Sequence, residues 1–336
     1  MTTSQLPPVE QVAPGLWSLP VPIPIRALRY VLVYALETPD GIVLIDAGWD
    51  TPEAWSHLTG GLAELGASPA DVDGLLITHI HPDHYGLAGR VRDASDAWIA
   101  LHPADAALLE DDTLRVDSLL AETLAWARRT GAPTDELETI SPEVLPLHPF
   151  STVATPDVLL EDRARAPVAG WELRAVHTPG HSPGHLCFHD PTRQLLFSGD
   201  HVLPGITPNV SVHPLSGPDP LGHFLDSLAH VRQLPTRLAL PAHQWRFDDL
   251  PGRVDELVAH HETRLEATRN ALHAGAETTY EVAAAMPWAR AWDTLPMMMR
   301  QIAIGEAQAH LVVLTTRGQA VWVPGEPDRW IGTTAA

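Results

Sequence analysis

The chain has 336 residues, 45% of them hydrophobic, a formal net charge of −21 and no lysine. This length is sufficient for one large domain or two smaller ones with their own cores. Such an acidic surface repels phosphate backbones, so we expect no nucleic-acid partner. The single cysteine, Cys187, excludes an intramolecular disulfide. No apolar run approaches the ~18 residues that span a bilayer, and no signal peptide is visible, so we expect a cytoplasmic protein that does not bind a membrane.

The first predicted strands are short apolar runs. Residues 41–45 read GIVLI and end at Asp46, and residues 74–77 read GLLI. Apolar runs of this length, bounded by turn-forming residues, predict buried strands. Between them, residues 52–65 predict a helix that ends before Gly66.

The loop after the second predicted strand carries the densest group of ionisable residues. Residues 78–86 read THIHPDHYG, which places His79, His81, Asp83 and His84 within six positions. A loop at the end of a strand presents its side chains without burying them in the sheet. Imidazole and carboxylate groups are the ligands that zinc-like cations prefer. The sequence therefore predicts a metal site here.

Residues 103–165 depart from the strand pattern. Residues 104–129 predict a helical stretch, and the following segment through Val158 is acidic and broken by prolines. We interpret this part as a helical insertion that caps the site and contributes to the substrate pocket. The alternative is a solvated surface excursion.

Three later strands also end in residues that could bind a metal. The alternating strand 171–176 precedes residues 177–185, which read HTPGHSPGH, and two further apolar runs lead to Asp200 and His243. Five predicted strands thus end in a histidine or an aspartate. Because chance places this pattern rarely, the recurrence strengthens the prediction of a metal centre.

The chain becomes helical after residue 250. Apolar residues recur with helical spacing over 254–272, a second helix capped by Thr278 or Thr279 extends through Met286, and a third covers 297–309. Residues 311–314 and 321–323 predict a hairpin around Arg317 and Gly318. Three helices followed by a hairpin resemble a winged-helix unit. Because the predicted recognition helix has few arginines, we expect packing or homodimer formation rather than DNA binding.

The ordered motifs resemble the metallo-β-lactamase fold hydrolase superfamily, and among its branches the glyoxalase II-like and lactonase/thioesterase ones. The resemblance covers roughly residues 12–250 and rests on five motifs, which are IDAG (45–48), HIHPDH (79–84), TPGH (178–181), SGD (198–200) and PAH (241–243). It implies an α/β protein, an αββα sandwich with the helical insertion at 103–165 and a winged-helix-like C-terminal domain at 251–336.

The resemblance also implies a site for two metal ions. Its implied ligands are His79, His81 and His181 for the first ion, Asp83, His84 and His243 for the second, and Asp200 between both. Asp46, which is not itself a ligand, would hydrogen-bond one of these ligands and fix its orientation. Of the other histidines in the second cluster, His177 would be an outer neighbour and His185 structural. Ala242 departs from the glycine that often precedes the last histidine.

The implied activity is hydrolysis of a carbonyl compound. Two divalent ions, zinc first and manganese or iron as alternatives, would share a water whose pKa falls towards ~7. The resulting bridging hydroxide would attack an ester, lactone or thioester. Asp83 would carry a proton, and Tyr85 would either donate to the oxyanion or pack beneath the loop. Predicted pocket walls at 22–25 and 203–210 are mostly apolar, which favours a small acyl substrate.

Three other functions share parts of this pattern. A phosphodiesterase or endoribonuclease of the same fold would use the same metals, but it requires a basic groove that this composition disfavours. An oxidoreductase resembling the persulfide dioxygenases would hold one iron and consume oxygen. A non-catalytic binding protein would not need all seven ligands.

Overall fold

The computed structural model describes residues 6–26, 28–110, 116–140 and 154–333. Packing divides the chain into two compact units. The first comprises Met1–Glu110, Pro149–Pro208 and His230–Arg253, and the second comprises Asp111–His148, Asn209–Ala229 and Val254–Ala336. The domain boundary expected at residue 250 is not tested by this division and stays a prediction.

The first unit contains two β-sheets. The seven strands of the first sheet follow chain order and are β1 (Glu10–Ala13), β2 (Leu16–Pro22), β3 (Tyr30–Glu37), β4 (Ile42–Ile45), β5 (Val72–Leu76), β6 (Trp98–Leu101) and β7 (Val158–Leu159). The second sheet has the order β11-β10-β9-β8, with β8 (Arg174–His177), β9 (Leu186–Asp190), β10 (Leu195–Gly199) and β11 (Leu238–Pro241).

The described helices lie between and after these strands. They are α1 (Pro52–Glu64), α2 (Pro82–Tyr85), α3 (Ala88–Ser95), α4 (Pro103–Glu110), α5 (Val116–Thr130), α6 (Thr134–Leu137), α7 (Pro220–Val231), α8 (Leu250–His273), α9 (Thr279–Ala285) and α10 (Met297–Thr316). The hairpin of β12 (Ala320–Val323) and β13 (Arg329–Gly332) follows α10.

The two sheets pack face to face. One core cluster takes apolar side chains from both sheets, such as Tyr34 of β3 and Phe197 of β10, whose rings meet edge to face at 5.3 Å. A second cluster lies on the other face of the first sheet and includes Leu58 of α1 and Val91 of α3. The fold class predicted from the sequence, an α/β sandwich with a C-terminal helical region, is confirmed.

Strand direction brings the predicted ligand loops to one edge of the first unit. β4, β5 and β6 are parallel, as are β10 and β11, so within each set the carboxyl ends lie on the same side. Backbone hydrogen bonds join the two sheets at this edge: Leu186 N–H donates to Thr78 O and Leu32 N–H donates to Ala242 O, both at 2.7 Å. These hydrogen bonds connect the two sheets where the ligand loops begin.

Several predicted elements are confirmed. Helix α1 begins after Thr51, whose hydroxyl accepts a hydrogen bond from Ala54 N–H at 3.1 Å, and ends before Gly66 with φ of +78°. Helix α9 begins after Thr278 in a capping box with Glu281. The predicted helical stretch 104–129 corresponds to α4 and α5, with 111–115 outside the described residues. Part of the predicted proline-rich segment, 141–153, also lies outside them.

One predicted strand is wrong. Residues 311–314 are not a hairpin strand but belong to the last turns of α10, and the hairpin consists of β12 and β13 instead. The run LVVL favours a strand by composition, but Ala307, Leu311 and Leu314 repeat at helical spacing and are buried. Burial of this helical face outweighs the weak strand preference of two valines.

Among the described residues, none of the helices combines the length and apolarity needed to cross a membrane.

Gly86 closes the turn that carries Asp83 and His84, and it has no room for a side chain. A Cβ atom at Gly86 would meet the carbonyl oxygen of Pro82 and lie 2.7 Å from Asp50 N and 2.9 Å from Gly48 O. These are backbone atoms, so they cannot move as a flexible side chain can. We expect Gly86→Ala to lower the free energy of unfolding by about 1–3 kcal/mol, measured by urea denaturation.

Gly60 in α1 is the matched control, since a Cβ atom there would have no neighbour within 4 Å. Gly60→Ala should leave stability unchanged or raise it by up to ~1 kcal/mol, because alanine favours a helix more than glycine does. Equal stability of the two variants would contradict the close packing around Gly86.

Candidate metal centre

Asp46 and Thr78 form the inner support of the site. Asp46 follows β4 with a left-handed backbone, φ of +63°, and is buried. Its carboxylate accepts hydrogen bonds from Thr78 N–H at 2.8 Å and from the Thr78 hydroxyl at 3.0 Å. The same carboxylate accepts from His84 Nδ1 at 2.8 Å. An ionised carboxylate only accepts, so this contact places the proton of His84 on Nδ1 and directs Nε2 away from Asp46.

His84, Asp83 and His243 lie together in one buried group. Asp83 Oδ2 is 3.7 Å from His84 Nε2 and 3.3 Å from His243 Nε2. His243 donates from Nδ1 to the Tyr30 carbonyl at 2.8 Å, which leaves Nε2 facing the carboxylates. Each of the three side chains therefore turns one ligand-type atom towards the same point.

His79, His81 and His181 form another group, the first of the two predicted ligand sets, and their rings lie close together. His79 Nε2 is 2.8 Å from His81 Nδ1, and the rings of His79 and His181 are 4.8 Å apart. Nδ1 of His79 is 3.0 Å from the Thr78 hydroxyl. Since this hydroxyl donates to Asp46, it accepts from His79, and Nε2 of His79 is the atom free to bind a metal.

Asp200 lies between the two groups. Its Oδ1 is 3.7 Å from His84 Nε2 and 3.4 Å from His243 Nε2, whereas its Oδ2 is 3.5 Å from His181 Nε2. Three sets of residues could hold an ion with ligand atoms that are all within 4.8 Å of one another. These sets are His79, His81 and His181; His79, His84 and Asp200; and Asp83, His84 and His243.

The buried polar atoms fit a metal ion. His84 Nε2, His243 Nε2 and Asp200 Oδ1 are buried without a hydrogen-bond partner among the described residues. A buried polar atom without a partner raises the free energy of the folded state. A divalent cation would satisfy all three atoms, and nitrogen and oxygen donors are what such cations bind.

Burial and mutual charge set the protonation of the two groups in opposite directions. Burial, with the nearby imidazole of His181, lowers the pKa of His81 to about 3. For His84, burial opposes the charge, but Asp46, Asp83 and Asp200 outweigh it and raise the pKa to about 9. Burial likewise opposes ionisation of Asp83, but His84 and His243 lower its pKa to about 2.

Tyr85 lies in the apolar core beneath the loop. It is 1% exposed, and its hydroxyl donates to the Ala154 carbonyl. Burial raises its pKa above the ordinary value of 10. Of the two predicted roles, the geometry corresponds to packing.

His177 and His185, which flank His181 in residues 177–185, have different neighbours. His185 Nε2 accepts from Asp200 N–H at 3.1 Å, and its Nδ1 is 2.8 Å from the Thr178 hydroxyl, so His185 supports the backbone of Asp200. His177 Nε2 donates to the Pro183 carbonyl at 2.9 Å, and its ring stacks on His102 at 3.9 Å.

Asp105 was missed by the sequence analysis. It lies in the first turn of α4, fully buried, and its carboxylate accepts from Ile80 N–H, Ser182 Oγ–H and Gly184 N–H. A signal was present, since Asp105 lies within four residues of the end of β6. It was not recognised because residues 103–165 were interpreted as a helical insertion outside the ligand loops.

Comparison with known proteins agrees with this geometry. The family described as the Metallo-beta-lactamase superfamily matches residues 26–243, well over half of the chain. The chain belongs to the metallo-β-lactamase superfamily. A metallo-beta-lactamase family protein from Thermus thermophilus has a similar structure, with a TM-score of 0.79 and 31% identity over 96% of this chain and 100% of that one.

Two fungal relatives are similar in sequence. Lactamase-like protein adaB of Aspergillus niger is 27% identical over 269 residues, which is 80% of this superfamily member and 67% of the relative. Lactamase-like protein aptB of Emericella nidulans is 38% identical over 99 residues, which is 30% of this chain and 29% of that protein. The aligned part is thus less than a third of aptB.

Asp46→Asn tests how this metallo-β-lactamase superfamily member fixes its ligands. The amide presents one N–H face, which must oppose either His84 Nδ1 or Thr78 N–H. In the first orientation the His84 proton moves to Nε2 and blocks the atom that faces Asp83. We expect zinc affinity to fall about 10- to 100-fold, measured by equilibrium dialysis against a chelator.

Asp93→Asn, at an exposed position of α3, is the control and should bind zinc like the unaltered protein. Unchanged zinc affinity in Asp46→Asn would refute the role of Asp46 in fixing His84.

Proposed function

We propose that the protein is a hydrolase that uses two divalent metal ions to cleave a carboxylic ester, lactone or thioester. The observation that carries this proposal is the set of overlapping His/Asp groups, in which Asp200 faces both His181 on one side and His84 with His243 on the other. A single ion would not need a carboxylate placed between two groups of ligands.

The seven residues divide into two ligand sets. His79, His81 and His181 would hold one ion, Asp83, His84 and His243 the other, and Asp200 would contact both. When bound, the ions supply a water of lowered pKa and polarise the carbonyl oxygen. Zinc suits the nitrogen-rich donor set, and manganese or iron would also be accepted.

The chain's own groups would orient the substrate and move protons. Asp83 stays ionised at neutral pH, since its pKa is lowered to about 2. Because Asp83 Oδ2 faces the same point as His84 Nε2 and His243 Nε2, we assign it the transfer of a proton to the leaving group. Tyr85 takes no part in this proposal, because its hydroxyl donates to Ala154 O within the core.

One of the predicted pocket walls, the apolar segment 22–25, lines a cavity in the first unit. This cavity has a volume of about 390 Å³, and Arg26, Arg29 and Glu53 also line it. The apolar segment agrees with the predicted pocket wall, whereas the two arginines are cations that the prediction did not include there. The lactamase-like names of the relatives are consistent with attack on a carbonyl carbon.

Asp200→Ala tests the two-metal arrangement. The variant removes the carboxylate that faces both ligand groups, and the remaining histidines lose their shared counter-charge. We expect the metal content, measured by mass spectrometry of the dialysed protein, to fall from two ions per chain to at most one. Turnover should fall at least about 100-fold, beyond the effect typical of residues outside the ligand set.

Asp93→Ala serves as the control and should keep both ions and full turnover. If Asp200→Ala retained two ions and full turnover, the assignment of Asp200 would be wrong.

The substrate class is tested by acid release from a panel of compounds. The panel would contain acyl thioesters with neutral and anionic chains, acyl-homoserine and simple lactones, aryl esters and a phosphodiester. We expect cleavage within the carbonyl compounds and none of the phosphodiester. Cleavage of the phosphodiester alone would place the protein among the nucleases of this fold, and silence throughout with oxygen consumption by an iron-loaded sample would indicate an oxidoreductase.

A further inference from the structure

The geometry points to Asp105 as the positioning residue for the first ligand set, His79, His81 and His181. This inference rests on the proposed two-metal function. Asp105 binds no metal in the arrangement described above, yet it connects the two loops from which the three histidines project. We assign it the task of holding these loops at the separation that one ion requires.

The contacts of Asp105 are few and specific. Oδ2 accepts from Ile80 N–H at 2.9 Å and from Ser182 Oγ–H at 2.8 Å, and Oδ1 accepts from Gly184 N–H at 2.6 Å. Ile80 stands between His79 and His81, and Ser182 follows His181 directly. The Asp105 carboxylate therefore connects the backbone between His79 and His81 to the residue that follows His181.

The close approach is built into the second loop. A Cβ atom at Gly184 would lie 2.6 Å from Asp105 N and 2.7 Å from Asp105 Cγ. Only glycine allows the loop to come this near to the carboxylate. The absence of a side chain at Gly184 thus belongs to the same device as Asp105.

An amide cannot replace the Asp105 carboxylate here. Three donors face the two oxygens, whereas an asparagine offers one oxygen and one NH₂ group. If the NH₂ group faces Gly184, it opposes Gly184 N–H. If it faces Ile80, it opposes Ile80 N–H, even though the Ser182 hydroxyl can turn to accept. In either orientation one buried backbone N–H loses its acceptor, and the two loops separate.

Asp105 and Asp46 have different hydrogen-bond partners. Asp46 bonds directly to His84 of the second ligand set, whereas the hydrogen bonds of Asp105 reach only residues beside the first set. The effect of changing Asp105 should therefore fall on one ion rather than on both.

The experiment measures metal stoichiometry and affinity in zinc-loaded protein dialysed against a graded series of chelator concentrations. For Asp105→Asn we expect the weaker retention of one ion, with its affinity about 10- to 100-fold lower, while the other ion stays at the affinity found in the unaltered protein. Ser182→Ala removes one of the three hydrogen bonds and should give a smaller decrease in the same ion. This milder variant keeps the test decisive if Asp105→Asn does not fold.

Two double variants identify which ion is affected. Adding His81→Ala to Asp105→Asn should lower retention no further than His81→Ala alone, because both changes act on the first set. Adding His243→Ala should weaken the retention of both ions. The reverse pattern, or equal weakening of both ions by Asp105→Asn alone, would overturn the assignment of Asp105 to the first set.

Asp162→Asn is the matched control. Asp162 also accepts a hydrogen bond from the second loop, at His177 N–H and 3.0 Å, but it does not connect that loop to residues 79–81. It should retain both ions with unaltered affinity. Weakening of the same ion by Asp162→Asn would show a general effect of loop stability and refute a specific role for Asp105.

The two proposals fail in different ways. If the unaltered protein held fewer than two ions, the proposed function would fail before any variant was measured. If it held two ions and hydrolysed a carbonyl substrate while Asp105→Asn retained both at full affinity, only the role of Asp105 would be refuted.

Discussion

The structure depends on bringing ionisable side chains of both signs out of water at one edge of the sandwich. Asp83 and Asp200 are 7% and 6% exposed, and His84 and His243 are completely buried. A buried charge raises the free energy of the folded state unless an opposite charge compensates it. In the protein alone, imidazolium groups do so, since the pKa of His84 is raised to about 9 beside the carboxylates. Divalent ions would replace these protons, so metal binding at this group releases protons.

The first ligand set meets a different requirement. Burial and neighbouring imidazoles lower the pKa of His79 and His81, so both rings are neutral before a metal arrives. Neutral rings crowd together without strong repulsion, which permits the 2.8 Å contact between them. The three histidines of this set include no carboxylate, and Asp200 approaches them through Oδ2, 3.5 Å from His181 Nε2. Hydrogen bonds from Asp105 fix the backbone beside this set, at Ile80 and Gly184.

The sequence was sufficient to predict the fold and to locate the residues that come together, because the information is local. Each ligand follows a strand, and parallel strands carry their ends to one side. The role of Asp105 could not be predicted in this way, because its partners are 25, 77 and 79 residues away in the chain. Residues 311–314 were assigned to a strand because composition cannot show which face of a helix a neighbour will bury. For Tyr85, both roles were compatible with the motif, and the carbonyl that its hydroxyl contacts belongs to Ala154, far along the chain.

Asp46 and Asp105 bind the same ligand loop at different residues. The loop that begins at Thr78 is bonded to Asp46 at its first residue and at His84, and to Asp105 at Ile80 between them. Asp46 belongs to the end of β4 and Asp105 to the start of α4, so the two supports come from separate elements of the first unit. Neither carboxylate shares a direct hydrogen-bond partner with the other. Because the Thr78 hydroxyl also accepts from His79, Asp46 supports ligands of both groups, whereas the hydrogen bonds of Asp105 reach only residues beside the first set.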